Sequence, residues 1–334
     1  MTAMFVSGKP AMLALATLIS LPWMGQESSK EAAPKDKPAP AVRTAMERLK
    51  PDATFAFGGT IGLGSGDGSL WVSLKEAGTL IRVDPKTNKT TQTIALAKPA
   101  CPGMTFGFGA MWVPLCGTAG IARVEPKTNA STATISKGIA SAKGPMFTGV
   151  GSVWAITDEK GTLARIDPVS GAVVAEVYTG AGASSIASGS DAVWITNATT
   201  NQLARVESHT NLIAEWIKVG KSPVAVAFGE GSVWTLNAGD ATVSRVDPKT
   251  NKVTETVKLG ISMTAGQIAV GEGSVWVSAP GVPLVRIDPR TNQVAQIFTG
   301  AGGGLVFIAE GSVWIAADAK TVWRLDPKRV EATR

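Results

Sequence analysis

The chain has 334 residues, 44% hydrophobic and 17% charged, a formal net charge of +6, and 10 Trp, 2 Cys and a single His. A composition this apolar can bury enough surface to fold, which excludes disorder for the bulk of the chain. One imidazole shortens the list of enzymes, because most general-base and zinc arrangements use histidine with suitable partners, and the modest positive surplus does not by itself imply nucleic acid.

Residues 1–25 read as an export signal. Lys9 precedes the apolar run Ala11 to Leu21, which ends at Pro22-Trp23-Met24-Gly25, and the run is shorter than the roughly 20 residues of a membrane-spanning helix. No clean A-x-A site marks the cut, so an uncleaved N-terminal anchor is the alternative. Residues 26–42 mix Ser, Glu, Lys, Ala and Pro, which cannot bury a face and predicts a disordered spacer. The expected location is periplasmic or secreted, with no membrane span in the mature chain.

Residues 43–334 carry a repeat. One phrase recurs as Gly-Ser-Leu-Trp71, Gly-Ala-Met-Trp112, Gly-Ser-Val-Trp154, Asp-Ala-Val-Trp194, Gly-Ser-Val-Trp234, Gly-Ser-Val-Trp276 and Gly-Ser-Val-Trp314, at intervals of 38 to 42 residues. That period belongs to a propeller blade. A second phrase follows each Trp: Arg82-Val-Asp84, Arg123-Val-Glu125, Arg165-Ile-Asp167, Arg205-Val-Glu207, Arg245-Val-Asp247, Arg286-Ile-Asp288 and Arg324-Leu-Asp326. Seven copies of both predict an all-β fold, a seven-bladed β-propeller of four-stranded blades.

The fifth repeat displays the strands. Val224 to Phe228 suits the inner strand, Gly229-Glu230-Gly231 a tight turn, Ser232 to Asn237 the Trp-bearing strand and Thr242 to Val246 the third. Asp247-Pro248-Lys249-Thr250-Asn251 makes a hairpin, with Pro presetting its φ, Asp accepting a backbone N–H and Asn tolerating the left-handed conformation. Gly171 stands where other repeats have Asn, an exchange expected at a position needing φ > 0. Lys252 to Leu259 is the outer strand. After Pro327 only seven residues remain, too few for another outer strand, so Asp52 to Gly59 is predicted to supply it, closing the ring and covering an edge that would invite aggregation.

The Gly-Glu-Gly-Ser-Val-Trp and Arg-Val-Asp-Pro-Lys-Thr-Asn-Lys-Val phrases resemble the YVTN-type and virginiamycin B lyase-like (streptogramin lyase-like) β-propellers, a bacterial group that is frequently exported. The resemblance spans residues 60–334. It implies the fold, and in its lyase branch a metal-assisted elimination that opens a cyclic ester antibiotic, with histidine as base beside a bound magnesium ion. The one histidine, His209, sits at a hairpin position that carries Lys86, Lys127, Val169, Lys249 and Arg290 elsewhere. It is expected on an exposed turn opposite the binding mouth, so the lyase chemistry is not carried over to any residue, and magnesium is expected only if the lyase alternative holds.

Other candidates weigh toward structure. The seven Trp residues share one register and are expected to fill the gaps between blades rather than form a stacking platform, with Trp216 and Trp323 outside that register. Each Arg-x-Asp pair lies on one face of its strand, predicting a repeated ion-pair or hydrogen-bond network between blades. The basic hairpin residues, with Lys328, predict a solvated rim. Cys101 is placed on an inner strand facing Cys116 on the next, close enough for a disulfide, which export would permit. Function is expected at the mouth, where loops vary within a constant frame: the loops leading into inner strands (Pro99 to Met104, Lys143 to Met146, Gly182 to Ser185, Lys221 to Pro223, Ser262 to Gln267 and Gly300 to Gly304) and the joining-loop residues Lys75, Glu76, Asp158, Glu159, Lys160, Asn197, Asn201, Asn237, Asp240 and Asp318. The expectation is a monomeric, non-catalytic scaffold binding a protein, peptide or small ligand there, with no nucleic acid and no cofactor. A metal-using enzyme built on Asp158, Glu159 and Asp240 is the alternative, and three converging carboxylates would favour it.

Overall fold

A computed structural model of the chain describes residues 41–57, 61–74, 77–116, 119–140 and 145–333. The expected export signal, nearly all of the spacer, and Lys75-Glu76 lie outside them. Seven blades of four antiparallel strands form the ring; six of them run in sequence order from the inner strand outward, and the seventh takes its outer strand from the N-terminal end. Blade five runs Pro223–Gly229, Ser232–Asn237, Thr242–Asp247 and Lys252–Lys258.

The turn before each Trp strand has two successive residues with φ > 0, such as Glu230 (49°) and Gly231 (69°), or Ser190 (51°) and Asp191 (58°) in blade four. This is the mirror-image two-residue turn whose twist matches that of its flanking strands. It also sets the Trp. The indole N–H of Trp234 donates across the turn to the Gly229 carbonyl at 3.1 Å, and the other six do likewise at 2.9 to 3.2 Å. A buried indole needs this partner.

Seven apolar clusters make up the core, one per seam between blades. Trp234 of blade five packs with Ile268, Val275 and Val277 of blade six, and Trp314 of blade seven packs with Leu63, Leu70 and Val72 of blade one. All seven repeat Trp residues are fully buried, while Trp216 is 37% exposed and Trp323 lies partly buried against the seam between blades six and seven. Each Trp stands opposite an Arg on the third strand, as Trp234 opposite Arg245, and in six blades the guanidinium lies 5.0 to 6.0 Å from the ring centroid.

The ends of the chain add detail. Strand β2 (Ala53–Ala56) pairs antiparallel with Thr321–Leu325 as the outer strand of blade seven. Strand β1 (Val42–Ala45) pairs parallel with Gln293–Thr299, which gives blade six a fifth strand. It starts within the expected spacer, one residue ahead of the predicted domain boundary. After Asp326 the repeat does not turn: Pro327 enters helix α1 (Pro327–Ala332), and the Asp326 carboxylate caps it by accepting from Lys328 N–H. Pro at the first helical position loses no hydrogen bond. Among the described residues no helix is long and apolar enough to cross a membrane.

Candidate functional site

The inner strands of all seven blades line a central channel with a cavity of about 690 Å³. At one end the leading loops contribute Pro102 to Met104, Pro145 and Met146, Ser184 and Ser185, and Gly266 and Gln267. Farther in, Phe106, Phe147, Phe228 and Phe307 reach its wall beside Val226, Val270 and Ile308. No ionisable side chain is among the described residues that line it. Its polar groups join neighbouring blades: Thr105 and Thr148 hydroxyls meet at 2.9 Å, the Ser184 hydroxyl donates to Pro223 O at 2.8 Å, and Gln267 Oε1 accepts from Val306 N–H at 3.3 Å. The channel can hold a ligand by apolar contact and a few hydroxyls. None of the described lining residues carries a side chain for proton transfer.

None of the described joining-loop candidates lines that cavity, and they stand on four different blades. Asn197 and Asn237 are buried and their hydrogen-bonding groups are taken up by neighbouring backbone and side chains. Asn197 donates to Thr179 O and accepts from Thr199 and Thr200 N–H; Asn237 accepts from the Thr235 hydroxyl and donates to Thr242 and Ser244. Asn201 Oδ1 accepts from Ser222 N–H. Asp158 accepts from the N–H and hydroxyl of Thr162, both at 2.8 Å. Burial raises its pKa, but these bonds and those from Lys160 and Gly161 outweigh it and hold the carboxyl below its ordinary value. Asp318 is lowered by the Lys320 N–H and then by the Thr321 hydroxyl. Asp240 accepts from Lys221 N–H and the Thr242 hydroxyl. Glu159 and Lys160 are exposed.

His209 lies in an exposed hairpin turn. The basic hairpin residues Lys86, Lys127, Lys249, Arg290 and Lys328 are exposed as well. Magnesium takes oxygen donors in octahedral array, one or two of them carboxylates. Asp158, Asp240 and Asp318 are each engaged by hydrogen bonds from nearby loops, and among the described residues no three His, Cys, Asp or Glu side chains converge to hold an ion. The donor set does not fit the metal.

Cys101 and Cys116 form a disulfide, with Cα atoms 5.0 Å apart. The sequence reading needs correction on how they meet. The inner strand of blade two is only Thr105–Gly107, and Cys101 lies in the loop that leads into it. Thr105 stands opposite Trp112, but Ala100 pairs with Leu115, so the ladder slips by two residues across Pro102 and Gly103. Cys101 N–H accordingly bonds to Pro114 O, and Cys116 N–H to Pro99 O. Proline breaks a ladder because it has no N–H to give.

In four seams the repeated Arg makes the expected hydrogen bonds between blades, but not through the Asp of its own strand. Arg245 does not pair with Asp247. Its Nε donates to Ser232 Oγ at 2.9 Å, and its Nη1 crosses to the hairpin of blade six, at Pro289 O and Asn292 Oδ1, both 2.8 Å. Arg82 and Arg165 reach blades two and four in the same way, and Arg324 reaches Pro85 O and Asn88 of blade one. The aspartates instead cap their own hairpins: Asp247 accepts from Lys249 N–H and Asp84 from Lys86 N–H. An in-strand ion pair forms only where the acid is Glu, in Arg123–Glu125 (2.6 Å) and Arg205–Glu207 (3.1 Å). Aspartate is one methylene short, and its carboxylate is held by the turn.

No protein-family model matches the chain, and no curated protein does. Among solved structures it is similar to virginiamycin B lyase from Staphylococcus aureus, with a TM-score of 0.68 and 16% identity, over 82% of this chain and 98% of that one. A streptogramin B lyase structure matches with a TM-score of 0.67 and 18% identity, over 80% of this chain and 93% of the other. At such identities the likeness shows the propeller fold.

Proposed function

We propose that the protein is an exported, non-catalytic β-propeller that holds a ligand in its central channel. The observation that supports this best is the channel wall, an array of Phe, Met, Val, Ser and Thr with no ionisable group among the described lining residues. Such a wall favours a neutral, largely apolar ligand such as a small molecule or a peptide segment. General acid–base chemistry needs a titratable side chain within reach of the substrate, and none is among the described residues lining the channel. The N-terminal apolar run and spacer supply the case for export.

The test is turnover against binding. The purified chain is incubated with a streptogramin B antibiotic and followed by mass and chromatography. The expected result is an unchanged antibiotic with or without magnesium; catalytic linearisation, abolished by substituting a channel residue, overturns the proposal. Binding is followed in parallel by thermal shift with a panel of neutral apolar ligands. The Phe147→Ala/Phe228→Ala double substitution is expected to remove any stabilisation that the ligand gives.

A further inference from the structure

Strand β1 shows what the outer edge of a blade can accept. Paired parallel along blade six, it sets Arg43 directly opposite Ile297, and the Arg43 guanidinium donates across the seam to the Gly260 carbonyl of blade five. Two residues earlier, Ala41 packs against the apolar cluster of that seam, which also takes Val294.

Blade three repeats these features and has no fifth strand. Its outer strand, Val173–Tyr178, ends the sheet with an open edge. Aligned on the third-strand arginine, Val173 stands where Val294 does and Glu176 where Ile297 does. The same alignment puts Gly138 of blade two in the place of Gly260, and both have φ > 0, at 80° and 66°. Gly138, Val173, Val174 and Glu176 line one crevice of about 800 Å³ between blades two and three, beside Arg123, and Val174 is 57% exposed. Glu176 sets this edge apart. The corresponding residues of blades one, two, four and five are Thr93, Thr134, Trp216 and Thr256. Its carboxylate is exposed and has no partner among the described residues. The edge also lacks the lysines, Lys89, Lys218, Lys252 and Lys258, that stand on the outer strands of blades one, four and five and discourage strand pairing there.

We propose that the outer edge of blade three is a docking site, separate from the channel, for an extended segment of a partner protein that pairs parallel to Val173–Tyr178 and carries an arginine opposite Glu176. Main-chain hydrogen bonds supply affinity, as in other cases of strand addition. The arginine supplies selectivity: placed as Arg43 is on blade six, it reaches toward the Gly138 carbonyl and gains the Glu176 carboxylate, where blade six offers the apolar Ile297. A small apolar residue two places before the arginine rests on Val173 and Val174. Lys137 lines the same crevice, but from blade two, whereas Glu176 is directly across the strand pair.

The test uses the full chain, whose own β1 stays on blade six, and the capped peptide acetyl-Ala-Val-Arg-Thr-Ala-amide, which copies residues 41–45. Backbone amide resonances are followed along both edges. Saturable shifts are expected along Val173–Tyr178 and not along Gln293–Thr299, and methylating the peptide nitrogens that face the strand is expected to abolish them. Peptides with Ala or Glu in place of Arg are expected to bind more weakly, by about threefold and about tenfold. Glu176→Gln is expected to cost about threefold, and Glu176→Arg to reverse the preference, so that the Glu peptide binds better than the Arg peptide. Glu176 is exposed, so both variants keep the fold. Equal binding of the Ala peptide, retained affinity in Glu176→Gln, shifts confined to Gln293–Thr299, or no saturable shift up to about 10 mM peptide overturns the proposal.

Discussion

The seam from blade five to six and the seam from blade four to five come from the same repeat, yet only the first is locked across the gap. In the first, Ser232 holds the Arg245 Nε and Asn292 takes its Nη1. In the second, Ala192 has replaced the serine and Arg205 folds back onto Glu207, leaving its own Nε and Asn251 Oδ1 buried without partners. Both seams keep a fully buried Trp and an unbroken apolar cluster. The ring is therefore held by indole packing at every seam, and the Arg bridge is a polar addition that individual seams can lose. Ser with Asp and Ala with Glu place the guanidinium in two ways, and blade six in a third, where Arg286 donates to Gln296 and Ser274 and pairs with Glu331.

The largest expected effect should not distinguish the seams. Trp194→Ala and Trp234→Ala are each expected to cost about 3 to 5 kcal/mol in denaturant unfolding, and values that differ by several kcal/mol would break the view that packing is common to both. The arginines should separate them. Arg245→Ala is expected to cost about 1.5 to 3 kcal/mol, because it strips a charged donor from Ser232, Pro289 and Asn292, while Arg205→Ala should cost under about 1 kcal/mol, as for a partly exposed ion pair. Equal losses would sink the distinction. Ala192→Ser restores an acceptor to Arg205 and should stabilise by about 1 kcal/mol. A cycle with Glu207→Asp should show coupling of about 0.5 kcal/mol or more, since both positions compete for one side chain.

Acid should act weakly and on the hairpins. Hydrogen bonds from Lys86, Ser170 and Lys249 N–H are the first cause lowering the Asp84, Asp167 and Asp247 carboxyls. A pKa lower in the folded state means that this contribution is fully present above the unfolded value, near pH 4, and fades as pH falls through the lower folded values. Asp247→Asn should lower stability near neutrality and flatten its further loss below about pH 4, read from unfolding curves taken across pH. The smallest effect is expected at His209: its exposed turn predicts a change within about 0.5 kcal/mol for His209→Ala.

The fold was legible because each blade is a local phrase of about 40 residues, and turn chemistry, strand alternation and the Trp are all read within one repeat. Gly171 was legible too, since a left-handed turn position admits Asn or Gly and little else. The site was legible only in part. Four of the six predicted leading loops reach the channel, but Asn197, Asn237, Asp158 and Asp240 look like binding groups in a sequence and are taken up by hydrogen bonds to nearby backbone and side chains in space. The Phe residues of the channel wall were hidden because each inner strand carries its own pattern, and the wall exists only once seven strands stand side by side.

Taken by itself, the sequence determined the number of blades, the place of each Trp and the hairpin that ends each third strand, because those follow from contacts a few residues apart. It also contained the exchanges of Ser for Ala, Asp for Glu and Asn for Gly, without their meaning. Only the tertiary structure decided which seams are bridged, that β1 joins blade six, and that a crevice opens beside Arg123. The physical reason is reach: Arg245 meets Asn292 at a separation of 47 residues and Arg324 meets Asn88 at 236. Partners that far apart become neighbours only when the ring closes.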